Sequence, residues 1–143
     1  MIWGMDLAAA LRVLVVDDSS EIRRRVVEVL SQVAGVARVE EATGAAAATD
    51  LMKDSPMDVV VLDIHMPGGS GIDLLRQIKA TSPSPVAIML TNLSGEPYRR
   101  VCQTVGADAF LDKSTGLDPL VEIVQRLANG EASSVLRRTE LLR

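Results

Sequence analysis

Asp17 with Asp18, Asp63, Thr91 and Lys113 each stand at the end of a short aliphatic run, at residues 13–16, 59–62, 86–90 and 109–111. Carboxylates, a hydroxyl and an ammonium gathered in one pocket form a set suited to phosphoryl groups, because phosphoryl transfer depends on charge neutralisation and positioning more than on covalent chemistry. Three carboxylates about 5 Å apart would repel by about 3 kcal/mol per pair at an effective dielectric near 20. Such a cluster must bind protons or a cation. Magnesium suits a site with few carboxylates, retained waters and a phosphoryl partner, and Lys113 adds a positive point charge to the same pocket.

Those residues meet only if the chain brings the ends of its aliphatic runs together. The runs are too continuous to alternate between core and solvent, as expected of parallel strands covered on both faces. A weaker strand over 37–42 has the composition of a sheet edge. Between the runs, apolar residues recur at helical spacing: Ile22, Val26, Val29, Leu30 and Val33; Ala48, Leu51 and Met52; Ile72, Leu75 and Ile78; Leu117, Leu120, Val121, Val124, Leu127 and Ala128. A further helix over about 97–105 has a narrow apolar face of Val101 and Val105. Asp118-Pro119 reads as N-cap and first-turn proline of the last helix, and Asn129-Gly130 as its stop. The longest connection, 63–71, carries Pro67, Gly68, Gly69 and Gly71 and reads as a loop. Strand and helix alternating five times predict an α/β fold with a doubly wound five-stranded parallel sheet. In the flavodoxin-like order 2-1-3-4-5 the switch point lies between strands one and three, which sets Asp17 and Asp18 beside Asp63.

Composition narrows the function classes. The 143 residues fit one domain, read as 12–129, with an N-terminal extension over 1–11 and a C-terminal tail over 130–143. Fifteen basic against nineteen acidic residues leave a net charge of −4, so no general nucleic-acid footprint is present. Trp3, Tyr98 and Phe110 are the only aromatics, which excludes a stacking platform for bases. Cys102 stands alone and reads as a small buried hydrophobe. The chain has neither a secretory leader pattern nor the roughly 20 apolar residues that span a bilayer, so a cytoplasmic protein is expected.

The ordered motifs Val15-Val16-Asp17-Asp18-Ser19, Glu41-Ala42-Thr43-Gly44, Leu62-Asp63-Ile64-His65-Met66-Pro67, Gly71, Met89-Leu90-Thr91 and Gly106-Ala107-Asp108-Ala109-Phe110-Leu111-Asp112-Lys113 resemble the receiver domain of two-component response regulators, the fold of the bacterial chemotaxis regulator. The resemblance implies that Asp63 accepts a phosphoryl group from a sensor histidine kinase or a histidine phosphotransfer protein. It implies Mg2+ bound directly by Asp18, through water by Asp17, and by the His65 backbone carbonyl beside Asp63. Lys113 would grip a phosphoryl oxygen, Thr91 would move toward the phosphate, and Phe110 would turn inward as the switch aromatic. The surface of the fourth helix, fifth strand and fifth helix would carry the readout.

Two positions depart from the family pattern. Ser114 replaces the proline that commonly follows the lysine, where a cis bond is usual, which puts the aim of Lys113 in question. Asn92 stands where a small residue is common, and His65 and Leu93 occupy positions that tune water access to the phosphoryl group. Plainer readings exist beside these. Asp18 with Glu21 fits a helix N-cap pair, Thr91 fits an ordinary strand end, and Arg23-Arg24-Arg25 fits a solvated helix face.

The reading is a single-domain response regulator, not an enzyme, that switches its surface for an unidentified downstream protein, as a monomer or a phosphorylation-dependent dimer. Only fourteen residues follow Asn129, too few for a helix-turn-helix output. The alternatives are an interaction module working without phosphorylation, and a phosphoryl relay or sink. An aspartyl-phosphate phosphatase would need its acid two residues beyond Asp17, where Ser19 stands, and a flavin phosphate would be repelled by the carboxylates.

Overall fold

A computed structural model describes residues 10–66, 69–93 and 95–131. Residues 1–9 of the expected N-terminal extension, Pro67, Gly68, and the expected tail from 132 onward lie outside the described residues. Five strands, β1 (Leu11–Val16), β2 (Val36–Ala42), β3 (Val59–Leu62), β4 (Val86–Thr91) and β5 (Ala109–Asp112), alternate with α1 (Ser20–Ser31), α2 (Ala45–Asp54), α3 (Gly71–Lys79), α4 (Glu96–Val105) and α5 (Asp118–Ala128). The strands form one parallel sheet in the order β2-β1-β3-β4-β5. This is the predicted topology, with the weak strand β2 at an edge.

The continuous aliphatic runs are explained by cover on both faces. Leu14, Val16, Val60, Leu62, Ala87, Met89 and Phe110 face α2, α3 and α4 through Ala48, Leu74, Leu75, Ile78 and Cys102. Val13, Val15, Val59, Val61, Ile88, Leu90 and Ala109 face α1 and α5 through Val26, Leu30, Leu120, Ile123, Val124 and Leu127. Each Val, Leu, Ile, Met or Phe side chain among these contributes about 1.5–3 kcal/mol on full burial, so the sheet is held in the interior and its carboxyl edge is left to loops. Cys102 is buried as expected.

Three local readings change. The helix over α4 buries Cys102 and leaves Val101 41% exposed, so its inward stripe is Cys102 and Val105 rather than Val101 and Val105. Leu117, not Asp118, is the N-cap of α5, because Asp118 already has helical backbone and Pro119 lies in the first turn. Within the expected loop 63–71, His65–Met66 pairs antiparallel with Gly69–Ser70, a short ribbon anchored by buried Met66.

Candidate functional site

Strand register delivers the carboxylates to one place. Val16 pairs with Leu62, and Leu62 with Met89. The next residues out of β1 and β3, Asp17 and Asp63, therefore leave the sheet side by side, and the Asp63 N–H donates to the Val16 carbonyl at 3.3 Å. Thr91 pairs with Asp112, so Lys113 leaves β5 one residue beyond. Asp17, Asp18 and Asp63 each present an oxygen, and these oxygens lie within 4.8 Å of one another. Asp17 and Asp63 are buried while Asp18 is exposed.

Lys113 closes the cluster. Its Nζ lies 2.8 Å from Asp17 Oδ2 and 2.8 Å from Asp63 Oδ2. Burial pushes the Lys113 ammonium toward a lower pKa, but the hydrogen bonds to Asp17 and Asp63 and their negative charges outweigh it, and its pKa stands above the ordinary value. The other oxygens take backbone donors: Asp17 Oδ1 accepts the Ser19 N–H at 2.9 Å, and Asp63 Oδ1 accepts the Ile64 N–H at 2.7 Å. Asp18 meets no protein donor among the described residues. Three carboxylates and one ammonium leave a formal charge of −2, which one divalent cation neutralises. Hard oxygen ligands with an exposed, uncommitted carboxylate fit magnesium, which keeps several waters.

Thr91 is fully buried, and its Oγ1 accepts the Leu93 N–H at 3.1 Å, which leaves the hydroxyl hydrogen for a further acceptor. Asn92 is exposed. His65 is exposed, and its ring is no member of the acidic cluster. Phe110 is buried at 2% exposure with the Arg99 guanidinium over its ring.

Ser114 does not misaim Lys113. The cis peptide among the described residues is Ser82-Pro83, not Lys113-Ser114. Instead Asp112 accepts both the Ser114 N–H at 2.8 Å and the Ser114 hydroxyl at 2.7 Å, and its carbonyl accepts the Thr115 hydroxyl at 2.8 Å. That capping forms a 3-10 turn over Lys113–Thr115, from which Lys113 reaches back to the aspartates. The signal, Asp at position n with Ser at n + 2, is the turn motif of short polar side chains.

Sequence reasoning also missed Arg23. It is not on a solvated face: its side chain is 14% exposed, its Nη1 donates to the Asp17 carbonyl at 2.8 Å, and its Nε to Glu41 Oε1 at 2.7 Å. Arg24 and Arg25 are exposed as expected. The helix N-cap is Ser19, which accepts from Ile22 N–H, so Asp18 is not spent on capping. Gly71 is required by closeness: a Cβ there would lie 1.7 Å from the Asp63 carbonyl oxygen.

Comparison with known proteins follows the same frame. The family described as the response regulator receiver domain matches residues 13–125. The response regulator GacA of Pseudomonas aeruginosa is 26% identical over 85% of this chain and 56% of its own length. The sensory/regulatory protein RpfC of Xanthomonas campestris is 34% identical over 83% of this chain and 17% of its own. The chain thus spans little more than half of one of these curated relatives and a sixth of the other. Among solved structures, the signal receiver domain of the putative response regulator NarL from Mycobacterium tuberculosis superimposes with a TM-score of 0.76 at 30% identity, over 85% of this chain and 98% of that one. No helix among the described residues is long and apolar enough to cross a membrane.

Proposed function

The chain belongs to the response regulator receiver domains, and from that premise we propose that Asp63 is its phosphoacceptor, charged by a histidine kinase or a histidine phosphotransfer protein. The observation that carries this reading is the position of Lys113 Nζ, 2.8 Å from one oxygen of Asp17 and one of Asp63. An ammonium already placed between the acceptor and its acidic neighbour neutralises charge where a phosphoryl group would bring more.

In the proposed reaction an Asp63 carboxylate oxygen forms the new P–O bond as the P–N bond of the donor phosphohistidine breaks, and the imidazole leaves with the electron pair. Asp17, Asp18, Asp63 and the His65 carbonyl would hold magnesium, which when bound supplies positive charge beside the transferred group. Asp18 is assigned the direct contact and Asp17 a water-mediated one. Lys113 pairs with a phosphoryl oxygen, and the Thr91 hydroxyl hydrogen supplies a further donor. Phe110 is assigned the switch position, and the face of α4, β5 and α5 the contact with a protein partner, with the switching unit spanning 12–129. Catalysis of metabolic chemistry has no place in this scheme; the chain works as a signalling phosphoacceptor.

The test is incubation of the purified chain with acetyl phosphate and magnesium, or with beryllofluoride and magnesium. The expected result is a mass gain of one phosphoryl group, or a spectral change, that Asp63→Asn abolishes. A chain that stays unmodified and spectrally silent would instead be an interaction module independent of phosphorylation. Transfer onward to a second phosphotransfer protein would make it a relay.

A further inference from the structure

Arg99 and Arg100 are neighbours in the first turns of α4, yet they are placed differently. Arg100 is 74% exposed at its side chain and pairs with Glu96 at 3.5 Å. Arg99 turns toward the sheet, and its Cζ lies 4.8 Å from the centroid of the Phe110 ring. Its Nη1 is buried and has no hydrogen-bond partner among the described residues. A buried guanidinium N–H without an acceptor is costly. The negative face of the aromatic ring, within the range at which cations and rings attract, is the counter-charge the group has there.

Phe110 stands in β5 opposite Met89, two residues before Thr91, and packs on the face covered by α2, α3 and α4. Rotation of its side chain to another staggered position would carry the ring from beneath Arg99 and take from the buried Nη1 the ring face that stands in for an acceptor. The two side chains therefore favour one arrangement together. We propose that Arg99 is a positioning residue that holds the Phe110 ring inward through its guanidinium, so that the setting of the switch depends on α4 as well as on the chemical state of Asp63. This rests on the reading of Phe110 as the switch aromatic. By reciprocity, whatever Arg99 adds to the inward ring it adds equally to any ligand that prefers the inward state.

Phe110 is the only phenylalanine in the chain, so growth on ring-13C phenylalanine labels this one site in the otherwise unaltered 143-residue chain. Exposure of the ring is read by NMR as relaxation caused by a soluble gadolinium chelate, in the wild type, Arg99→Met, which keeps an unbranched apolar stem but no charge, and Arg99→Lys, which keeps charge. The expected result is a protected ring in the wild type. Arg99→Met should raise the exposed population by about 2- to 30-fold, the range spanned by cation–ring attractions, with Arg99→Lys in between. Should Arg99→Met not fold, as judged by thermal melting, neutral Arg99→Gln gives the same readout. A ring equally protected in the wild type and the neutral variant overturns the proposal, as does equal opening in Arg99→Met and Arg99→Lys, which would make the contact one of shape rather than charge. Phosphorylation is read separately in the same samples, as the mass gain on acetyl phosphate with magnesium that Asp63→Asn abolishes. Ring opening on Arg99 substitution without that gain leaves the Arg99 assignment standing and overturns the phosphoacceptor reading; the gain without ring opening does the reverse.

Discussion

Arg23 Nη1 donates to the main-chain carbonyl of Asp17 at 2.8 Å. The same guanidinium reaches Glu41 at the end of β2, so the loop that carries Asp17 and Asp18 is tied to the neighbouring strand. Partners that orient ligating groups typically change metal affinity by about 10- to 100-fold when removed. Arg23→Ala is expected to weaken magnesium binding by about 10-fold, measured by calorimetric titration, while exposed Arg24→Ala leaves it unchanged. Equal affinities in both variants would show that the tie is irrelevant to the site.

Lys113 is 10% exposed at its side chain and shared by two buried carboxylates. Removing one partner of a buried ion pair costs about 3–5 kcal/mol, because the remaining charge is left without compensation. Lys113→Met is therefore expected to lower urea-unfolding stability by about 3 kcal/mol in EDTA. Magnesium should recover part of that loss, since it takes up the charge that Lys113 no longer balances. A variant as stable as the wild type in EDTA would contradict the charge account of the cluster.

Gly71 touches the backbone of Asp63, just beyond the end of β3, through its missing side chain. With a Cβ placed 1.7 Å from the Asp63 carbonyl oxygen, and the Gly71 N–H donating to the Ile64 carbonyl at 2.7 Å, Gly71→Ala must push the backbone of residues 63–64 aside. Overpacking of this kind typically costs 1–3 kcal/mol or more, and about 3 kcal/mol is expected here. The rate of labelling by acetyl phosphate should fall with it. Thermal melting and mass spectrometry on the same sample check both halves.

Cys102 is fully buried, and burial pushes its thiol from 9.0 up to about 11. A raised folded value means that the contribution is fully present below pH 9.0 and is lost as pH rises toward 11, because the unfolded thiol ionises first. The loss amounts to about 2–3 kcal/mol across that window. Cys102→Ala should flatten the pH dependence between 9 and 11 in urea titrations, even though it lowers stability at pH 7 by opening a small void. An identical alkaline slope in the variant would assign the loss to other groups.

The alternation of aliphatic runs with helical stripes determined the sheet, its parallel strands and the side of it to which Asp17, Asp18, Asp63, Thr91 and Lys113 belong, because period and continuity are properties of residues adjacent in the chain. Their order and spacing also carried the family resemblance. What the chain could not disclose by pattern are the interactions between residues distant in sequence or decided by fractions of a turn. Arg23 lies in a run of three arginines, and only the rotation of α1 against β2 selects it over Arg24 and Arg25. Ser114 looked like the loss of a proline, and the cap that Asp112 places on it is visible only once the turn is built. Arg99 meets Phe110 because α4 packs with Cys102 inward, and the side of a helix with so narrow an apolar face is settled by the sheet beneath it. Periodicity names faces; the pairing of side chains across them depends on tertiary packing, where a few ångströms decide whether a charge meets a carboxylate, a ring or water.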